Sequence, residues 1–135
     1  MTGTDTRTAT IVWPTLKYRD APAAIRFLVE AFGFEDKAVY PGETDGTVRH
    51  AELRWPGGGG VMLGSVQPDG DVDLPAGIGS VYIVTDQPDA LYERATAAGA
   101  TVARGIRDED YGSRGFTVRD PEGVFWSFGT YAGAP

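Results

Sequence analysis

His50 is the only histidine in the 135-residue chain, and cysteine is absent. Imidazole chemistry therefore has a single address, and disulfides, thiolate–metal bonds and a cysteine nucleophile are excluded. Within Val48-Arg-His-Ala-Glu-Leu-Arg54, side chains two positions apart share one face of a strand, so Glu52 can orient His50. Such a pair can act as a general base or as hydrogen-bonding groups toward a ligand. The competing reading is a half-buried histidine in a sheet network or at a dimer contact, with Glu52 and Arg54 as a solvated or ion-paired strand face. As a metal site the pair supplies two donors, and no aspartates can be placed beside it to complete the set.

The other candidates would bind and not react. Trp13, Tyr82, Phe116 and Phe125 are flat rings suited to a planar or apolar ligand if they line a cleft, and ordinary core if they do not. Arg114 follows the acidic run Asp108-Glu-Asp110. It can hold a ligand carboxylate or pair with that run, and the internal pair is preferred. Asp69, Asp71 and Asp73 alternate as in a calcium loop, but no bidentate glutamate stands downstream at the required spacing, so they read as a solvated linker. The glycines at 57–60 precede neither Lys-Ser/Thr nor a helix and read as a hairpin.

The elements that position these residues emerge from an internal repeat. Asp20-Ala-Pro-Ala-Ala-Ile…Ala-Phe-Gly33 aligns without a gap on Asp86-Gln-Pro-Asp-Ala-Leu…Ala-Ala-Gly99, at a constant spacing of 66 positions. Each copy reads as a helix, with Asp as N-cap, Pro in the first turn and Gly beyond the end. Ile25, Leu28, Val29 and Phe32 share the apolar face of the first helix; Leu91, Ala95 and Ala98 mark a weaker face on the second. Strands are expected at 10–18, 35–40, 48–55 and 61–66 in the first half, and at 79–85, 101–106, 114–119 and 125–131 in the second. The pattern is βαβββ twice: an α+β domain over 9–131, with modules at about 9–66 and 78–131, a linker at 67–77, and a disordered tail at 1–8. Alternation places Ala51, Leu53 and Trp55 toward the helices and Val48, His50, Glu52 and Arg54 on the opposite face. In the first strand Val12, Pro14, Leu16 and Tyr18 oppose Trp13, Thr15 and Lys17; in the last, Trp126 and Phe128 oppose Phe125, Ser127 and Gly129. Curved sheets with helices on their outer faces would leave the polar and aromatic rows lining a concave cleft.

Composition narrows the function. With 41% hydrophobic and 23% charged residues the chain is globular, and its net charge of −7 disfavours nucleic acid as a partner. No signal peptide and no apolar run of about 18 residues stand out, so the expectation is a soluble cytoplasmic protein that does not enter membranes.

Leu16-Lys-Tyr-Arg-Asp…Phe27…Phe32-Gly-Phe and Asp120-Pro-Glu-Gly-Val-Phe-Trp-Ser127 resemble, in order, the opening strand–helix unit and the closing hairpin of the vicinal-oxygen-chelate superfamily. This is the group of glyoxalase, bleomycin-resistance and dioxygenase-like proteins. The segment 111–131 resembles a branch of bacterial members. The resemblance covers about 10–131 and implies a homodimer with its cleft near the interface. In metal-dependent members four strands each give one ligand. Carried over, those positions are Trp13, Ser80, Ser127 and either Val61 or Leu63, none of which suits a divalent ion. The expectation is therefore a binding protein with no cofactor and no metal, taking a small-molecule ligand as members that sequester antibiotics do. Its binding residues would be Trp13, His50, Glu52, Ser80, Tyr82, Arg114, Phe116, Phe125 and Ser127. The alternative is a lyase, isomerase, epimerase or dioxygenase using a displaced metal or His50 and Glu52. A regulatory partner with a plugged cleft is the third reading.

Overall fold

The structure is a computed structural model and describes residues 10–135; the tail assigned to 1–8 lies outside the described residues. The order is β1 (Thr15–Tyr18), α1 (Ala21–Phe27), a π turn continuing it (Leu28–Phe32), β2 (Glu35–Pro41), β3 (Val48–Arg54), β4 (Gly60–Ser65), β5 (Ser80–Val84), α2 (Pro88–Ala97), β6 (Thr101–Asp108), β7 (Arg114–Arg119) and β8 (Phe125–Gly129). Each half forms an open four-stranded mixed sheet, ordered β1-β4-β3-β2 and β5-β8-β7-β6. The first and last strands of each half pair in parallel and the rest antiparallel. This is the α+β, two-module arrangement expected from the repeat. No helix among the described residues is long and apolar enough to cross a membrane.

Both helices are set by their ends. Asp20 caps α1 by accepting the Ala23 N–H at 3.1 Å, with proline in the first turn. Gly33 ends the π turn at φ 93°, a left-handed conformation that glycine adopts without the Cβ penalty. The second copy departs from the first: Gln87, not Asp86, is the N-cap of α2, and Pro88 takes the first helical position. Ile25, Leu28 and Phe32 are buried as the periodicity required, while Val29 is only half-buried because the π turn rotates the face. Arg94 of α2 donates to the carbonyls of Glu30 (2.8 Å) and Val29 (3.2 Å), tying the two halves together.

The strand expected over 10–18 is shorter than its pattern. Pro14 has no N–H to give a ladder, so only its carbonyl pairs, accepting from Met62 N at 2.9 Å, and β1 begins at Thr15. One core unites the halves. Phe32 packs on Trp126 and Phe128, and Phe34 bridges Trp55 and Trp126, so rings from the first unit sit on the last strand of the second. At its centre the buried Asp120 carboxylate accepts from Tyr18 Oη (2.6 Å), Trp126 Nε1 (3.1 Å) and the N–H groups of Glu122, Gly123 and Val124. Glu122 in the same turn accepts from Arg19 N (2.7 Å) and Asp20 N (2.8 Å). The segment Asp120-Pro-Glu-Gly123 thus fastens the end of the second unit to the start of α1 as well as turning the chain.

Candidate functional site

Strand alternation sends one row of each sheet into the core and leaves the other open. On the open face of the second sheet the register gives three rows of neighbours. Ser80, Phe125, Arg119 and Thr101 form the first; Tyr82, Ser127, Thr117 and Arg104 the second; Val84, Gly129, Gly115 and Arg107 the third. Ser127 and Thr117 hydroxyls are hydrogen-bonded at 2.7 Å. Tyr82 donates its hydroxyl to the Tyr131 carbonyl at 2.7 Å. Partial burial first, and then the neighbouring Tyr111 phenol, hold the Tyr82 hydroxyl above its ordinary pKa. A depression of about 120 Å³ opens here, walled by Tyr82, Arg104, Glu109 and Tyr111, with Gly115 and Gly129 in its lining.

The first sheet's open face carries His50 and Glu52, joined Nε2 to Oε2 at 2.9 Å. A carboxylate only accepts, so this contact places a proton on Nε2 and, in the neutral imidazole, a lone pair on Nδ1. Tyr40 stacks beside the ring with centroids 6.1 Å apart. Glu52 neighbours Met62 and Ala38, and Arg54 neighbours Gly60 and Glu35. The Arg54 guanidinium lies over the Trp13 ring, 5.6 Å from its centroid.

The expected residues therefore divide. Ser80, Tyr82, Phe125 and Ser127 come together on the second open face, and His50, Glu52 and Trp13 on the first. Phe116 turns its ring to the core side of β7, stacked on Phe128 (5.2 Å) and edge-on to Tyr92 (5.0 Å), and both Phe116 and Phe128 also border the depression. Arg114 is committed to the protein, holding Asp89 through Nη2 (2.8 Å) and Nε (3.0 Å) and Asp108 through Nη1 (3.1 Å). Those bonds push its pKa up and the Asp89 carboxyl down. Val48, placed with His50 by alternation, is buried in the core instead, beyond a register shift at Tyr40/Pro41. Residues 114–119 also hold two site residues that residue type alone does not flag: Thr117 and Arg119 alternate with Phe116 and Val118, so with Phe116 in the core they face outward.

Val61 and Leu63 face the core and are removed from consideration, leaving Met62 as the outward residue of that strand. An indole, two serines and a thioether do not fit the divalent ions that these folds hold with imidazole and carboxylate. Among the described residues no three His, Asp or Glu side chains gather elsewhere to replace them. A second, apolar cavity of about 490 Å³ lies between the units, lined by Phe34, Trp55, Val61, Val81 and Ile83 among others and also bordered by Tyr82. It has volume but few polar groups to orient a ligand.

Comparison with known proteins follows the same lines. A protein of Mycobacterium bovis, itself described as uncharacterized, is 37% identical over 123 residues, covering 86% of this chain and 80% of that protein. The crystal structure of TioX from Micromonospora superposes with a TM-score of 0.75 at 33% identity, covering 90% of this chain and 98% of that one. Glyoxalase I from Zea mays shares the fold alone, with a TM-score of 0.71 at 19% identity, covering 93% of this chain and 46% of that one. The family model that describes the Glyoxalase/Bleomycin resistance protein/Dioxygenase superfamily matches residues 10–128, and the chain belongs to that superfamily.

Proposed function

We propose that this protein binds a small molecule on the open faces of its sheets without a metal at the superfamily's ligand positions, and sequesters the compound without converting it. One observation supports this reading above the rest. The second open face keeps rings and hydroxyls around a depression, at Tyr82, Tyr111, Thr117 and Ser127, while the ligand positions hold side chains that cannot coordinate. Such a face orients a ligand by stacking and by a few placed hydrogen bonds.

The protein is further proposed to act as a homodimer, in keeping with its family. Ile11, Val12 and Ile78 are apolar side chains each at least 70% exposed in the single chain, and pairing would cover them.

A second reading is favoured by the His50–Glu52 contact. With Nε2 turned to the carboxylate, Nδ1 is free to take a proton from a substrate lying on the first sheet. The two readings separate in one experiment. Purified protein is titrated calorimetrically with a panel of planar aromatic compounds, and each mixture is then analysed chromatographically. Stoichiometric binding with the compound recovered unchanged is the expected result. Conversion of a bound compound, lost in His50→Ala, would replace the binding role with the catalytic one.

A further inference from the structure

The open face of the second sheet concentrates positive charge in a chain whose formal net charge is −7. Arg104, Arg107 and Arg119 all project from it. Arg107 is matched by Glu109, Nε to Oε2 at 3.1 Å. Arg104 and Arg119 have no carboxylate within ion-pair distance among the described residues. They stand on adjacent strands as diagonal neighbours, since Thr101 opposes Arg119 and Arg104 opposes Thr117. The first sheet differs: its cations Lys17 and Arg54 share their face with Glu35 and Glu52.

The surroundings of the two arginines set the shape of what they can hold. Arg119 lies over the Phe125 ring, 5.3 Å from its centroid, so the cation rests against an aromatic face and not against an acid. Arg104 borders the depression beside Thr117 and Ser127. Gly115 and Gly129 are directly paired there, so a strip of sheet carries no side chain. A Cβ at Gly129 would come within 2.9 Å of the Tyr82 hydroxyl, and one at Gly115 would meet the Phe128 carbonyl. That space is therefore taken by the Tyr82 hydroxyl and by backbone, and the room for a ligand lies beside it in the depression, between the Tyr82 and Tyr111 rings and the Thr117 and Ser127 hydroxyls, which suits a flat ring.

We propose that the ligand of this face is a planar aromatic acid, its ring in the depression beside Tyr82, Thr117 and Ser127 and its carboxylate held by Arg104 and Arg119. The inference rests on the binding role proposed above and adds the charge of the ligand. Unpaired guanidiniums recognise a carboxylate through parallel N–H donors, and a local cationic face overrides the repulsion of an acidic surface at contact distance.

The test uses three matched probes on the full chain by titration calorimetry: 2-naphthoate, 2-naphthalenemethanol and 2-naphthylmethylammonium. Naphthoate is expected to bind about tenfold tighter than the alcohol, and the ammonium weakest. Arg104→Gln and Arg119→Gln are each expected to lower naphthoate affinity about tenfold, the loss of one charged hydrogen-bonding partner, and to leave the alcohol unchanged. Arg26→Gln, which removes the same charge from the exposed side of α1, is expected to change nothing. Equal binding of acid and alcohol, or equal effects of Arg26→Gln and the two face variants, would overturn the anion inference while leaving the binding role standing. Failure of all three probes to bind would overturn both.

Discussion

Asp120→Ala is expected to destabilise the protein by about 3 kcal/mol or more and to lower its melting temperature by roughly 10 °C. The carboxylate accepts from five donors: Tyr18 Oη, Trp126 Nε1 and three backbone N–H groups. Each buried donor left without a partner costs about 1–3 kcal/mol, and water can reach only those near the turn. Tyr18→Phe removes one bond and leaves four, so its cost should be about 1 kcal/mol. Thermal and urea unfolding of the two variants measure the difference; equal losses would contradict a central role for the carboxylate. The same network has an alkaline signature. Burial, followed by the Asp120 and Glu122 carboxylates, raises the Tyr18 hydroxyl far above its ordinary value of 10.0. Below that value folded and unfolded chains both keep the proton, and the contribution is fully present. Above about pH 10 the unfolded chain releases the proton and the folded chain retains it, so stability falls as pH rises. The wild-type urea midpoint should therefore drop more steeply above about pH 10 than that of Tyr18→Phe.

Ser127→Tyr and Phe116→Leu should have opposite effects, because they lie on opposite faces of one sheet. Ser127 borders the depression beside Tyr82 and Thr117. A phenol there would occupy the space a ligand needs, and binding of any panel compound should fall about a hundredfold or more. That corresponds to about 2.7 kcal/mol or more. The cost to stability should stay near 1 kcal/mol, the worth of the lost Thr117 hydrogen bond. Phe116→Leu shrinks the ring stacked between Tyr92 and Phe128. It should cost about 1–3 kcal/mol of stability and leave affinity within about twofold, a difference of about 0.4 kcal/mol. Calorimetric titration together with thermal unfolding checks both. Ligand affinity surviving in Ser127→Tyr would place the site elsewhere, with the apolar cavity beside Tyr82 as the next location.

Much of the architecture was legible because it repeats. Asp20 and Gly33 punctuate α1 as their residue types demand, and the spacing to Gly99 reveals a second copy before any contact is known. What could not be read turned on partners distant in sequence. Pro14 ends β1 because no ladder can use it, a fact that needs the neighbouring strand to be known. Asp120 looked like a turn residue; Tyr18, more than a hundred positions earlier, makes it the hub of the core. Register was the third gap. The glycines at 57–60 hide which residues of β4 face outward, so the sequence offers Val61 and Leu63 alike although each is core. Phe116 is different, since its alternation with Thr117 and its shared face with Val118 are already in the sequence. Its aromatic type points to the cleft, whereas the strand pattern turns its ring to the core. The two unpaired arginines became visible only when the sheet showed which cations have acids beside them.

Metal content per chain tests the central claim most directly. Protein purified without a metal-affinity column is analysed by mass spectrometry of the elements before and after dialysis against a chelator, and its melting temperature is followed with added divalent ions. Well under one tightly held transition metal per chain, with a melting temperature unmoved by chelator or ions, is the expected result. About one metal per chain, retained through dialysis and stabilising the fold, would contradict a site built without coordination and direct attention to His50 and Glu52.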